Sequence, residues 1–389
     1  MRKVLIKLST GLSAVSIVFM ALMFSSYSCQ TADREIYMYV GGYASEDNPS
    51  LYVYSYDEEN LQLEEIQQLT GVPNPSFLAF HPSGNFLYAV NEIGNYMGNR
   101  EGSVTSFRID PETAELEYLN TQSSQGPGPC FVSILADGSH ALVANYSGGN
   151  IAALPIDSDG RLKEATAFFQ HEGSGFDERR QRRPLAHSIY PSVDGSYVFS
   201  ANLGTDKVMI YTTGQDEVLA ENTASPYAAT APGAGPRHLA LHPDGRWIYV
   251  VNELNSTVTR LDFDKSSGVV SVMESVSSLP EGWEGDNFPG DIHLHPSGKF
   301  LYASNRGHNS IAIFRIENDG RATFLGTESV RGEWPRNFSL DPDGKRLFVA
   351  NQRTGNITIF DIDQNTGTLS FTGKELKVDQ PACIKFLVR

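Results

Sequence analysis

A unit of about 50 residues recurs along this 389-residue chain and restricts its fold more than any other feature. One copy, GPRHLALHPDGRWIYVVNE, runs from Gly235 to Glu253 and is typical of two short apolar strands joined by a tight turn. Further copies begin at Asn74, Gly128, Pro184, Phe288 and Trp334. Each copy closes on an asparagine, and the spacing is 46 to 57 residues between Asn91, Asn145, Asn202, Asn252, Asn305 and Asn351.

Each unit continues with a third apolar segment, such as Ser103 to Ile109, and a more polar fourth one, such as Leu116 to Thr121. Four short strands per repeat, separated by turn residues, are typical of a propeller blade. No stretch shows convincing helical periodicity. The repeat therefore predicts an all-β protein built from four-stranded blades.

The two ends of the propeller region complete each other. Glu35 to Tyr43 resembles the second strand of the repeat without its first, and Gln380 to Val388 resembles the missing first strand. A ring closes when one blade is built from both termini, because each sheet edge must be paired. Six complete units and one shared unit predict a single seven-bladed β-propeller over residues 36–389.

The first 28 residues are typical of an export signal, with basic residues at the start and an apolar run before Cys29. This pattern favours a lipoprotein signal, with Cys29 as the lipidated residue, over simple cleavage and release. Residues 29–35 would then form a short tether. The prediction is an exported bacterial protein held at the periplasm or cell surface, which contacts the membrane only through its lipid anchor.

The charge of the chain limits its binding partners, and its cysteine content limits its possible disulfides. The chain has 30 basic and 46 acidic residues, and removing a leader with three basic and no acidic residues takes the net charge from −16 to −19. A nucleic-acid partner requires a basic face, so none is expected. Cys130 and Cys383 could pair in an exported protein, although their places in predicted core strands favour two inert thiols.

The turn histidines and the closing asparagines are expected to be structural. His81, His242 and His295 stand in His-Pro-Ser/Asp-Gly turns of different blades, where proline and glycine set the geometry, and such positions lie too far apart for one site. The asparagines are expected to join blades through hydrogen bonds from side chain to backbone.

Charged residues interrupt the repeat at two places that face one mouth of the central channel. Before the first strand, the plain Ser76 and Cys130 give way to charged or histidine residues in later copies. After the second strand, a charged residue or glutamine follows four of the asparagines. Because paired antiparallel strands end on the same side, Arg237 and Glu253 should be neighbours. These departures predict a concave site with convergent charge.

An insertion before His187, HEGSGFDERRQRRPLAH, carries four arginines in five positions: Arg179, Arg180, Arg182 and Arg183. A run of charge is commonly a solvated loop. In an acidic chain, however, an arginine cluster leading to the channel mouth would also attract a phosphate or carboxylate. Both interpretations stay open from the residues alone.

Several stretches resemble one known family: GAGPRHLALHPDGRWIYVVNELNSTV, FLYASNRGHNSIAIF, WPRNFSLDPDGKRLFVANQ and QPACIKFL. They resemble the seven-bladed propeller lactonases, the family of bacterial propeller-type 6-phosphogluconolactonase and, more remotely, fungal carboxymuconate cyclase. The resemblance covers residues 36–389 and implies hydrolysis of a sugar lactone without a required metal or cofactor. Leu185 is a departure, since family members often carry a histidine there.

The resemblance places the active-site group on His187, Arg237, Glu253 and Arg306, through the AHS, GPRH, VNE and SNRG motifs. His187 would be the general base, Glu253 would orient it or share the proton transfer, and the arginines would polarise the carbonyl or hold an anionic substituent. The expected substrate is a small, anionic lactone. The remaining predicted substrate-binding residues are His238, Asp291, Arg336, Asn337, Gln352, Glu92, Arg180 and Arg183.

A binding propeller, a serine hydrolase and a metal enzyme are the alternatives to a lactonase. A non-catalytic propeller could bind a glycan or protein across one face, and the fold itself does not decide between the two. The charged departures lie inside the channel mouth, which favours the enzyme. A covalent serine hydrolase is disfavoured because no Gly-x-Ser-x-Gly elbow is present. His171, Asp177 and Glu178 lack compact metal-ligand spacing. Export also leaves open whether the lactone is 6-phosphogluconolactone or an unphosphorylated aldonolactone.

Overall fold

The computed structural model describes residues 34–45, 47–214 and 216–389. The predicted leader, Cys29 and most of the predicted tether lie outside these residues. The described part is almost entirely β-structure, as predicted, with one 3-10 turn at Leu203–Thr205. It contains no helix with the length and apolar character needed to cross a bilayer.

The strands form seven sheets, one for each blade. The first three blades contain β1 (Ile36–Gly42), β2 (Leu51–Asp57), β3 (Gln62–Leu69), β4 (Leu78–Phe80), β5 (Phe86–Asn91), β6 (Ser103–Ile109), β7 (Leu116–Ser123), β8 (Pro129–Ile134), β9 (His140–Asn145), β10 (Asn150–Pro155) and β11 (Ala167–Gln170). The fourth and fifth contain β12 (Ala186–Pro191), β13 (Tyr197–Asn202), β14 (Lys207–Thr212), β15 (Ala220–Glu221), β16 (Tyr227–Ala229), β17 (Pro236–Leu241), β18 (Trp247–Asn252), β19 (Thr257–Asp264) and β20 (Val269–Ser277). The last two contain β21 (Phe288–Leu294), β22 (Phe300–Arg306), β23 (Ser310–Ile316), β24 (Ala322–Ser329), β25 (Pro335–Leu340), β26 (Arg346–Asn351), β27 (Asn356–Ile362) and β28 (Leu369–Lys377), and the chain ends with β29 (Pro381–Val388).

The blades are antiparallel sheets arranged in a ring. Blade 1 has the order β29-β1-β2-β3, blade 2 consists of β4 to β7, blade 3 of β8 to β11, and blades 5 to 7 each take the next four strands from β17 onward. In blade 4 two short strands, β15 and β16, share the outer edge of β14. The innermost strands touch in the circular order β4, β8, β12, β17, β21, β25, β29 and back to β4. The prediction of seven blades with four strand positions is confirmed.

The shared blade also forms as predicted. β1 pairs with β29 along its whole length, from Ile36 opposite Val388 to Gly42 opposite Pro381. The pairing gives β1 a partner on both of its edges, β29 and β2, and so completes the four strands of blade 1.

Buried tyrosines fasten each blade to the next. The second strands of blades 1, 2, 5 and 6 each carry a tyrosine whose hydroxyl donates to a backbone carbonyl in a turn of the following blade. Examples are Tyr88 to the carbonyl of Gly160, at 3.0 Å, and Tyr249 to the carbonyl of Gly320, at 2.8 Å. Each ring is buried in the apolar layer between sheets while its hydroxyl is satisfied.

Two of the turn histidines and several of the closing asparagines join neighbouring blades as well. The Nε2 atoms of His81 and His295 lie 3.1 and 2.8 Å from carbonyls of the equivalent turns one blade further on. Asn145 and Asn305 donate through Nδ2 to the carbonyls of Ser124 and Ser278, at 2.7 and 2.8 Å, in the connections from the preceding blades. These contacts confirm a structural role for both motifs.

Candidate active site

β-Bulges aim side chains into the channel mouth. In most blades the innermost strand opens with a register shift that leaves one residue after the first position unpaired, and such a bulge redirects the side chain of the extra residue. The residues placed this way are Cys130, His187, Arg237, Arg336 and, in blade 1, Ala382. A second row lies at or just beyond the end of each second strand, one residue after the closing asparagine or its equivalent: Tyr43, Glu92, Tyr146, Leu203, Glu253, Arg306 and Gln352.

Glu253 is the centre of a buried charge cluster. Its Oε2 lies 2.6 Å from Nη2 of Arg306 and 3.2 Å from Nε of Arg237, which confirms the predicted proximity of Arg237 and Glu253. Its Oε1 accepts a hydrogen bond of 2.6 Å from Nη2 of Arg180. One carboxylate thus holds three guanidinium groups.

The arginines determine the protonation of this carboxyl group. Burial alone would raise the pKa of Glu253, but the attraction of Arg306, Arg237 and Arg180 outweighs it and lowers the pKa to about 2. Glu253 is therefore ionised at all physiological pH values. Such a carboxylate is a poor proton acceptor and a good holder of cations.

His187 forms another wall of the channel mouth, and its surroundings favour the neutral imidazole. Its ring lies edge-on to the rings of Tyr146 and His238, with centroids 5.2 and 5.3 Å away, and its Nδ1 lies 3.7 Å from Sγ of Cys130. Burial, followed by repulsion from Arg237 and other cations, lowers the pKa of His187 well below 6.5. Within the described ranges Nε2 has no hydrogen-bond partner, so the neutral ring can accept a proton there.

His238 and Asp291 lie immediately behind this wall. Nδ1 of His238 donates to Oδ1 of Asp291 at 2.7 Å, which leaves its Nε2 to accept from Nη1 of Arg237 at 3.2 Å. The other oxygen of Asp291 accepts from His293 and from Nδ2 of Asn337. Oδ1 of Asn337 in turn accepts from the N–H of Ile384 in β29. The protein itself thus occupies the polar atoms of Asp291, and this chain of contacts fixes the position of Arg237.

Arg336 stands beside Glu92 on the remaining side of the mouth. Its Nη2 is 3.6 Å from Oε2 of Glu92, and its guanidinium lies over the ring of Tyr43 at 4.9 Å. Glu92 is already bound at 2.5 Å by the hydroxyls of Tyr43 and Ser76. Apart from the ion pair with Glu92, the side chain of Arg336 donates no hydrogen bond to any residue that the structure describes.

The inserted loop contributes one arginine to the cluster. Arg180 crosses from the connection before blade 4 to Glu253, and it also interacts with Tyr146. Arg183 and Arg179 are exposed, and Arg182 folds back onto the carbonyl of Glu178. The arginine run therefore separates into Arg180 at the site and three residues that face solvent.

A comparison with protein-family models matches residues 37–386 to the family described as Lactonase, 7-bladed beta-propeller. The chain belongs to this family.

Relatives of this lactonase family member are similar over nearly their whole length. The chain is 33% identical to 6-phosphogluconolactonase of Bacillus subtilis strain 168, over 90% of this chain and 97% of that protein. It is 32% identical to a 6-phosphogluconolactonase of Formosa agariphila, over 77% and 85% of the two chains. The solved structure of a periplasmic gluconolactonase of Pseudomonas aeruginosa covers 91% of this chain and 99% of its own, with 30% identity and a TM-score of 0.84.

Within this family fold, the structure brings together the four residues that carry the resemblance, with Arg180, His238, Asp291, Arg336 and Glu92 around them. Asn337 lies one layer deeper, and Gln352 lines an adjoining cavity. The two remaining cysteines are free and buried, but Cys130 contacts His187 and so is part of the site wall.

Tyr43, Tyr146, Trp334 and Arg353 line the mouth or its adjoining cavity and were missed from the sequence. These residues do not stand out in the repeat because most of its evident departures are charged. Aligning all seven residues that follow the closing asparagine, regardless of charge, would have found Tyr43 and Tyr146.

Proposed function

We propose that this protein hydrolyses an aldonolactone at the channel mouth, with His187 as the general base. The observation that carries the proposal is a neutral imidazole with an unpaired Nε2, facing guanidinium groups that a single carboxylate holds in place. Hydrolysis of an ester requires a base for water and fixed positive charge for the oxyanion, and this site supplies both.

The oxyanion would be held by arginine donors that the protein leaves unused. Nη2 of Arg237 and Nη1 of Arg306 make no hydrogen bond to a residue of the described ranges, whereas their other nitrogens are tied to Glu253 or to backbone carbonyls. Fixed donors need no reorganisation when charge develops on the carbonyl oxygen, and this lowers the barrier.

The proposed reaction has two steps. Nε2 of His187 takes a proton from water while the water oxygen bonds to the lactone carbonyl carbon, and the carbonyl electron pair moves to an oxygen held by the arginines. The carbonyl then reforms, the bond from that carbon to the ring oxygen breaks, and His187 returns its proton to the departing oxygen. The product is the open hydroxy acid, which loses its acid proton to solvent.

In this proposal Glu253 acts through the arginines. The sequence-based hypothesis allowed it to orient His187, but its oxygens contact Arg180, Arg237 and Arg306 instead. It would keep three cations close to each other and to the carbonyl, where they would otherwise repel one another.

The names of the relatives supply two candidate substrates. The Bacillus subtilis and Formosa agariphila proteins are named for 6-phosphogluconolactone, and the Pseudomonas aeruginosa protein is named as a periplasmic gluconolactonase. An exported location, proposed from the leader, agrees with the latter name. We propose a sugar lactone as the substrate class and an envelope location for the protein.

Acid release from 6-phosphogluconolactone and from glucono-1,5-lactone tests the proposal, after the spontaneous rate in each case has been subtracted. We expect the purified protein to open at least one of them well above background. If the protein opens neither lactone faster than the spontaneous rate, the result would favour the non-catalytic alternative, a propeller that binds a glycan or protein.

The pH profile should extend to unusually low pH. His187 must be neutral to accept a proton, and its folded-state pKa lies well below the ordinary 6.5. The active form is therefore present above that lowered pKa and is lost only as the pH falls through it. A kcat/KM profile that is flat from pH 8 to below pH 6.5 is expected, while an acid limb centred near 6.5 would contradict the assignment of the base.

A further inference from the structure

Trp334 has a backbone conformation that blades 2, 3 and 5 give to asparagine or glycine. Its φ is 64°, in the left-handed region that large side chains rarely adopt. The equivalent position is Gly128 in blade 3, Gly235 in blade 5 and Asn74 in blade 2. In each of these the backbone carbonyl accepts a hydrogen bond from the residue after the closing asparagine, which establishes the equivalence. In blade 1 the counterpart is Gln380, with φ 39°, whose carbonyl accepts from the N–H of Tyr43 at 3.1 Å.

The surrounding structure holds Trp334 in this conformation. Its N–H donates to Oδ1 of Asn309 at 2.9 Å, and its carbonyl accepts from the N–H of Gln352 at 3.1 Å. A large aromatic residue that is held in this conformation at both backbone groups, where blades 3 and 5 have glycine, points to a function for its side chain.

The side chain forms a wall of an open cavity of about 710 Å³ next to the charge cluster. Three arginines, Arg306, Arg336 and Arg353, line this cavity with Trp334, and Asp379 is its carboxylate. Cationic groups thus outnumber anionic ones around the opening, although the chain as a whole is acidic.

Arg353 is stacked on the indole. Its guanidinium carbon lies 3.5 Å from the ring centroid of Trp334, and Arg306 lies 5.4 Å from the same ring. The side chain of Arg353 makes no ion pair or hydrogen bond with a residue of the described ranges, while Arg306 is committed to Glu253. Stacking leaves the in-plane N–H donors of a guanidinium free, in the fork that matches a carboxylate or phosphate.

We infer that Trp334 and Arg353 are specificity-determining residues that bind an anionic group, a phosphate or carboxylate, on the end of the substrate remote from the lactone carbonyl. Trp334 holds Arg353 in a fixed orientation, and Arg336, whose guanidinium makes an ion pair with Glu92 but no hydrogen bond to a described residue, adds a second cation to the same cavity. This inference rests on the proposed function for the identity of the substrate, but the binding that it describes can be measured without turnover.

The test uses calorimetric binding of three open-chain acids. Gluconate has no second anion, 6-phosphogluconate adds a phosphate at the far end, and glucarate adds a carboxylate there. The intact protein is expected to bind at least one of the last two more tightly than gluconate, and the tighter one identifies the anion. Equal affinity for all three acids would overturn the inference.

Variants at position 334 separate recognition from packing. Trp334→Asn, which places here the residue found in blade 2, is expected to lose on the order of tenfold in affinity for the preferred anion, and Arg353→Gln should lose a similar factor. Gluconate binding should stay unchanged in both. Trp334→Phe keeps an aromatic face and should retain most of the affinity.

Thermal melting supplies the structural control. Asparagine adopts positive φ more readily than phenylalanine, so Trp334→Asn should melt at no lower temperature than Trp334→Phe. A large drop in melting temperature for Trp334→Asn with unchanged preference among the acids would mean that Trp334 only packs. If the intact protein shows the expected preference but opens no lactone, the proposed function fails and this inference stands.

Discussion

A Glu253→Gln variant is expected to lose about 3–5 kcal/mol of folding free energy, because removing one partner of a buried ion pair leaves the other charge uncompensated. Here the loss leaves Arg180, Arg237 and Arg306 close together, and the latter two are almost fully buried. Glutamine retains the shape of the side chain and removes only its charge. Chemical denaturation at pH 7 measures the difference.

Glu328→Gln is the matched control. Glu328 pairs with Arg331 at 2.9 Å on the surface, where such a pair contributes about 0–1 kcal/mol. The double variant Glu253→Gln with Arg306→Gln should be more stable than Glu253→Gln alone, because one of the unpaired cations is removed as well. A Glu253→Gln protein as stable as the control would show that water solvates the cluster.

The same group gives folding a dependence on acid. The folded-state pKa of Glu253, about 2, lies below its ordinary value of 4.5. Its contribution to stability is therefore complete above pH 4.5 and is lost as the pH falls toward 2. The Glu253→Gln protein should lack this part of the acid sensitivity.

A His187→Gln variant is expected to lower kcat by about 10²- to 10⁴-fold, the usual contribution of a positioned general base. Glutamine can hydrogen-bond in the same place but cannot take a proton from water. KM should change much less than kcat, since the arginines that contact the substrate remain. Initial rates on the lactone that the intact protein prefers, corrected for spontaneous opening, give both values.

His81→Gln is the control for this change. His81 is tied to the carbonyl of Gly138 in a turn, so the same chemical replacement should leave the rate unaltered. The residual activity of His187→Gln should also lose the acid limb assigned to the imidazole. Turnover within about threefold of the unmodified protein would remove His187 from the role of base.

The internal repeat was sufficient to predict the fold because every copy shows the same pattern. It also predicted that Arg237 and Glu253 meet, since they stand at the two ends of one hairpin. The repeat could not predict the contact between Arg180 and Glu253, because the inserted loop has no counterpart in the other blades. The sequence could not predict the bulges either, because a bulge changes the direction of a side chain without changing the order of residues.

The stacking of Arg353 on Trp334 is a second contact that the sequence pattern could not predict. Trp334 occupies a position that carries glycine in two other blades, so its identity is a departure from the repeat. Trp334 is apolar, however, so it does not stand out among the charged departures from the repeat. Its left-handed backbone becomes evident only when the dihedral angles of equivalent positions are compared.

The pairing of β1 with β29 has a consequence for how the chain folds. β1 pairs on one edge with β29, so the contact between Ile36 and Val388 forms only when the last strand is present. Contacts this distant in sequence form late and slowly, and an unfinished ring would expose the edge of β1 to other chains. Pairing of β29 with β1 is thus the event that commits the propeller to its closed form.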